Sequence, residues 1–532
     1  MHRFVFWVFF FPTMLFAQSQ HQWVDSVYTS MTLDQKIGQL FMVMAYPDGN
    51  TLKQKQTLQH IRNHHIGGVL FSKGTSAQQQ KDTQRYQRVS QVPLFIAADA
   101  EWGMSMRLDD VSPYPYAMTL GALPDENLIY ALAKRMGVRK RKMGIHISFA
   151  PVADVNAEAK NPIIGVRAFG DNPIRVARQA TTFMEGLQDA GILAVGKHFP
   201  GHGAAIVDSH KSLPTIAHTN NQLDSIDLVP FRKLIDGGVK GVMVGHLRIP
   251  TLEKDSIPVS VSTKVIADLL QKQLGFKGLI FTDALNMNGI TQSVESPALA
   301  AFLAGADVLV IPQNLTKAIA SIRTSYVNGD IGPERLEISV KKILTAKYAL
   351  GLHQRKNLIS DAKALKTNYE DVYLKQQIAL KSIVNVYAKP NHFPLIPNRD
   401  IAYLALGKAN DNSFLEQLQE FTKSIESVSV DTVKPMRGKT IIVGVFADTS
   451  TPWKNAFLPQ KDAAILHQLA NQNKVYLVVF AKPYALHQFP NLTIFYNVLW
   501  AHENQPEFAR ATAKILFGKH NAVGVFPVKM KQ

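Results

Sequence analysis

No cysteine occurs in the 532 residues of this chain. Its absence excludes disulfides, cysteine-ligated metal centres, a thiol nucleophile and lipid attachment through an N-terminal cysteine. Low-complexity tracts and short-period repeats are also missing, and no arginine-rich run or aromatic-basic platform appears. The 58 Lys+Arg against 41 Asp+Glu leave a formal charge of +17. Scattered as they are, these basic residues read as a solvated surface, and no nucleic-acid partner is expected. Long hydrophobic runs are equally scarce. The stretch from Phe4 to Phe16 is too short to span a bilayer comfortably. Preceded by a basic start and followed by Ala17 and polar QSQHQ, it reads as a signal peptide over residues 1–17. That implies a periplasmic or secreted protein with no integral span after cleavage. Leu15, near the cut, is larger than the usual small residue there, and an uncleaved anchor is the alternative.

What is present is apolar content of 46% and a charged fraction of 19%, enough for more than one core. Eight short apolar runs recur, each followed by a segment of helical period: IGQLFMVM (37–44), GGVLF (67–71), PLFIAAD (93–99), ISFAPVAD (147–154), LAVGKHF (193–199), GVMVGHL (241–247), LIFTDAL (279–285) and DVLVIPQ (307–313). Continuous apolar strands alternating with amphipathic helices call for a parallel sheet covered by helices, and eight such units predict a (β/α)8 barrel over residues 18–351. A polar, lysine-rich stretch at 352–375 reads as a linker. Beyond it, IAYLALG (401–407), TIIVGVFAD (440–448), VYLVVFAKPYAL (475–486) and LTIFYNVLW (492–500) predict a smaller three-layer α/β sandwich over 376–532.

Polar residues stand at the ends of the barrel runs: Asp99, Asp154, Lys197 with His198, His246 and Asp283. In a barrel these ends open on one face, where active sites are built. The segment KHFPGHGAAIVDSH (197–210) adds His202, Asp208 and His210. A metal and a proton-transfer pair both need such residues. Pro200, Gly201 and Gly203 would pin His198 and His202 poorly as ligands, so no metal is expected. A loop carrying Asp208-Ser-His210 suits an imidazole whose proton affinity a carboxylate raises. Asp283, a strand-end acid without a nearby arginine in sequence, is the candidate nucleophile.

Four motifs are specific: DAEWGMSMR (99–107), NPIIGVRAFGDNP (161–173), KHFPGHG with DSH (197–210) and GFKGLIFTDALNMNGI (275–290). Through them the chain resembles glycoside hydrolase family 3, in its bacterial β-N-acetylglucosaminidase branch. The resemblance implies a cofactor-free, retaining exo-β-N-acetylglucosaminidase acting on peptidoglycan fragments or chitooligosaccharides. It implies Asp283 as nucleophile, His210 as acid/base with Asp208 its partner, and Asp99, Arg107, Arg167, Lys197 and His198 as sugar-binding residues; His246 joins the binding set from its place on the rim. Trp102 departs from the family pattern, which has glycine there in many members, as do Ala204, Ala205 and Ile206, where acidic or hydroxyl residues are common. The β-glucosidase branch draws a catalytic glutamate from the second domain; with DSH present, Glu503 reads as structural. The alternatives are a β-glucosidase or β-xylosidase of the same family and a non-catalytic sugar-binding protein. Ser360-Asp-Ala-Lys363 is a chance match to a serine-hydrolase motif.

Overall fold

The computed structural model describes residues 19–530 except 209–211, 255, 355–359, 398–399, 408–412, 450, 454–457 and 490. The expected signal peptide lies outside the described residues. The eight strands of the first domain are β1 Phe41–Ala45, β2 Gly68–Phe71, β3 Phe95–Ala98, β4 Ile147–Ser148, β5 Leu193–Phe199, β6 Gly241–Val244, β7 Leu279–Thr282 and β8 Leu309–Val310. All neighbours pair in parallel, in the order β7-β6-β5-β4-β3-β2-β1-β8. A parallel bridge from Phe281 to Val308 closes the ring. Every residue of β2 to β8 is buried, as strands with side chains packed both inside the barrel and under helices must be.

The first apolar run splits. Thr32 and Gln35 form a reciprocal capping box that starts a helix at Leu33 and carries it through Gln39, so Ile37 is helical and the strand begins at Phe41.

The second domain is a six-stranded sheet: β9 Val384–Ala388, β10 Ile401–Gly407, β11 Glu426–Ser427, β12 Thr440–Phe446, β13 Lys474–Phe480 and β14 Asn497–Trp500, ordered β11-β10-β12-β13-β14-β9 with only β9 antiparallel. Side chains along β13 alternate between two cores. Val475, Leu477 and Val479 face one, which also holds Leu466 and Leu469 of helix Gln460–Gln472. Tyr476, Val478 and Phe480 face the other, with Phe414, Leu418 and Phe508. The first core is shared with the barrel, since Trp102, Tyr116, Met118, Ala122 and Val166 belong to it.

The stretch expected as a linker contains a helix, Tyr369–Ser382, that crosses the expected domain boundary. Its Asp371 is buried and binds barrel side chains: Arg135 at 2.8 Å, Arg139 at 3.2 Å and the Tyr114 hydroxyl, which donates at 2.6 Å. Ser360 is buried too, donating to the Met143 carbonyl.

Candidate active site

The polar strand ends converge at the C-terminal mouth of the barrel. Asp99 follows β3, and the turn after it brings Arg107 back: its Nη2 donates to Asp99 Oδ2 at 2.8 Å and its Nε to the Asp99 carbonyl at 3.2 Å. Lys197 lies in β5 and commits two N–H donors to carboxylates, Asp99 Oδ1 at 2.9 Å and Glu101 Oε1 at 2.8 Å. Glu101 also receives a fork from Arg167, Nε at 2.9 Å and Nη2 at 2.7 Å. Two carboxylates and three cations thus form one continuous wall. Burial alone would raise the Glu101 carboxyl, but Arg167 and Lys197 hold it well below its usual range. At Asp99 the same contest, with Lys197 and Arg107, also ends in a lowered carboxyl. Lys197 itself is raised, because its two carboxylates outweigh burial.

Adjacent residues on a strand normally face opposite ways, yet Lys197 and His198 both serve the mouth. The ladder between β5 and β6 shifts register between Lys197 and Phe199, and this irregularity re-aims the His198 side chain. Asp154, after β4, then gathers three donors: His198 Nδ1 at 2.7 Å, the His198 amide at 3.2 Å and the His202 amide at 2.8 Å. Burial would raise Asp154, but His198 keeps it lowered and ionised. Its charge holds the ring through the Nδ1–H.

Arg167 stands on a turn, Gly165–Arg167, built by two asparagines. Asn161 Oδ1 accepts from the Ile163 and Ile164 amides, while its Nδ2 donates to the His202 and Gly203 carbonyls. Asn156 Oδ1 accepts from the Gly165 amide. Gly203 packs so tightly that a Cβ would sit 1.6 Å from the Val155 carbonyl oxygen, so only glycine fits there.

Asp283 follows β7 and is partly open to the mouth. Its Oδ1 accepts from the Ala284 amide at 2.8 Å. Burial pushes its carboxyl up, but His198, His246 and that amide prevail and bring it down to about 2. It is therefore ionised throughout the physiological range. His246 was expected among the sugar ligands. Its Nε2 donates to the Ala284 carbonyl at 3.2 Å, so Nδ1 accepts from the Ser260 hydroxyl at 2.7 Å. With both nitrogens engaged and burial lowering its proton affinity, the ring buttresses the Asp283–Ala284 peptide.

Asp208 lies half-buried on the loop after β5, and the Ser212 amide donates to its carbonyl at 3.2 Å. His210 lies outside the described residues. Sequence reasoning placed Asp154 on the rim and His202 in the cluster without assigning either a role, and left Glu101 out of the site. His202 is buried with its proton affinity pushed down to about 4 by burial and by His198. Glu101 was visible within DAEWG, two positions after Asp99. Glu503 is 4% exposed in the joint between the domains, accepting from the Tyr116 amide, the Thr119 hydroxyl and Gln505. Burial raises it to about 7. Trp102 also points into the joint, its ring 4.9 Å from Tyr116 and 6.2 Å from Trp453.

With this geometry in place, similarities to known proteins carry weight. Residues 32–346 match the glycosyl hydrolase family 3 N-terminal domain. A Cellulomonas fimi protein named β-N-acetylglucosaminidase/β-glucosidase is 30% identical over 408 residues, spanning 74% of this chain and 72% of its own. β-Hexosaminidase A of Pseudoalteromonas piscicida is 28% identical over 470 residues, 79% of this chain and 78% of its own. A solved family 3 β-N-acetylglucosaminidase from Paenibacillus sp. str. FPU-7 superposes with a TM-score of 0.79 at 27% identity, covering 94% of this chain and 99% of that one.

Proposed function

The chain belongs to glycoside hydrolase family 3, and from that premise we propose that it is an exported, retaining exo-β-N-acetylglucosaminidase. The observation that carries this reading is Asp283: an ionised carboxylate at a strand end, partly open to the mouth beside a wall of paired cations and carboxylates. Its oxygen attacks the anomeric carbon while the glycosidic C–O bond breaks, giving a glycosyl ester. His210 gives its proton to the departing oxygen. The same imidazole then takes a proton from water, whose oxygen displaces Asp283 and frees the sugar with its configuration retained. Asp208 raises the basicity of that ring. Asp99, Arg107, Lys197 and His198 offer donors and acceptors to sugar hydroxyls, and Arg167 holds Glu101 in register with them. The substrates this reading takes are peptidoglycan fragments or chitooligosaccharides with a terminal β-linked N-acetylglucosamine.

The β-glucosidase reading needs a free glutamate from the second domain, whereas Glu503 already takes three donors. Asp283→Asn is expected to lower turnover of an aryl N-acetylglucosaminide on the order of 10⁴-fold with an unchanged melting temperature. A fluorinated slow substrate is expected to label the wild type at Asp283, read by peptide mass spectrometry. A label on any other residue overturns the assignment.

A further inference from the structure

The segment 200–219 leaves β5, carries Asp208 and His210, and returns to the helical stretch that begins at Asn220. Its two ends meet the same side chain. Asp227, on the helical turn Leu223–Asp227, is 1% exposed. On the outgoing limb, Gly201 lies so close that a Cβ would stand 2.6 Å from Asp227 Cβ and 2.8 Å from its Oδ1. On the returning limb, His218 Nδ1 donates to Asp227 Oδ2 at 2.5 Å. Asp227 Oδ1 has no hydrogen-bond partner among the described residues. A carboxylate buried with one oxygen unsatisfied is costly, and the His218 contact offsets that cost.

Neighbouring contacts hold each limb but do not join them. The outgoing limb is fixed by the His202 amide on Asp154. The returning limb is fixed by a parallel bridge from Thr215 to Arg248 and by the Thr251 hydroxyl, which donates to the His218 carbonyl at 3.1 Å. Gly201 and His218 thus both rest against Asp227. Between the limbs, Ile206 and Val207 are exposed.

We infer that Asp227, clamped by His218, is a positioning residue that sets where the loop after β5 presents its acid/base group. The inference rests on the reading of His210 given above. It acts through the loop, so it bears on proton transfer to the leaving group and not on sugar binding.

The test compares kcat/KM for a 2,4-dinitrophenyl N-acetylglucosaminide, which departs without a proton, with that for chitobiose, which needs one. Asp227→Asn is expected to lower the chitobiose value about tenfold or more while the dinitrophenyl value stays within about threefold. His218→Gln, at a less buried site, is expected to give the same bias, and the double variant no more than either alone. Equal losses on both substrates, an unchanged ratio in both variants, or additive effects overturn the inference. Should Asp227→Asn fail to fold, His218→Gln decides alone. His210→Ala is measured alongside: if it lacks the bias, the acid/base reading fails; if it shows the bias and the clamp variants do not, only the clamp fails.

Discussion

The mouth of the barrel has two sides built on opposite principles. On one, Lys197 and Arg167 are 3% and 7% exposed, and each is tied to carboxylates that are themselves shared. On the other, the loop after β5 is held at its limbs while Ile206 between them is 69% exposed. The ordering of these proposed sugar-binding groups is completed during folding, so a ligand meets them already aligned. The proposed acid/base pair belongs to that loop and not to the wall, so changes there should alter one chemical step while leaving binding intact.

Breaking the rigid side should have the largest effect. Glu101→Ala leaves Arg167 and Lys197 buried without their shared partner, and unfolding by denaturant is expected to show a loss of about 3–5 kcal/mol. KM for an aryl N-acetylglucosaminide should rise in the same variant. A stability change below about 1 kcal/mol would mean that the wall is not a unit.

Breaking the loop side should separate the substrates instead. His210→Ala is expected to depress cleavage of chitobiose about a hundredfold, and of a dinitrophenyl glycoside only a few fold, in kcat/KM. Asp208→Ala should show the same bias more weakly. Equal losses would assign these residues to binding and erase the contrast between the two sides.

The smallest effect sharpens the comparison by testing a titrating group outside both sides. Burial raises the Glu503 carboxyl from its ordinary 4.5 to about 7. Between those values the folded chain holds a proton that the unfolded chain releases, so this contribution is full below about pH 4.5 and is lost as pH rises through about 7. The melting temperature of wild type should therefore fall by a few degrees more than that of Glu503→Gln between about pH 6 and 8. Parallel curves would show that Glu503 does not titrate there.

Much of this arrangement was legible because barrel strands are largely apolar and their functional groups sit at or just past their C-terminal ends. Asp99, Lys197, His198 and Asp283 are all found that way. The pairings were not legible. Nothing in the spacing joins Glu101 to Arg167, which lie on different β-to-α connections, or His246 to Ser260, which lie 14 residues apart on the irregular connection after β6. The irregularity after Lys197 also defeats a period-two reading of β5. In the second domain, β9 and β11 escaped notice: β9 reads VNVYA, with only Val384 fully buried, and β11 is two exposed residues. Helix Tyr369–Ser382 was obscured by a polar composition whose reason is the barrel-facing Asp371.

The place of Trp102 in the domain joint has a consequence for how the gene can be cut. The indole belongs to the apolar core that Tyr116, Met118 and Val166 share with the second sheet, yet it is the next residue after Glu101. Excising the sandwich would strip that core open and present a sticky face to solvent, one peptide bond from the charged wall. The barrel of this chain is therefore not a portable module: a truncation that retained every proposed catalytic group would still inherit an aggregation-prone seam and a loosened Glu101.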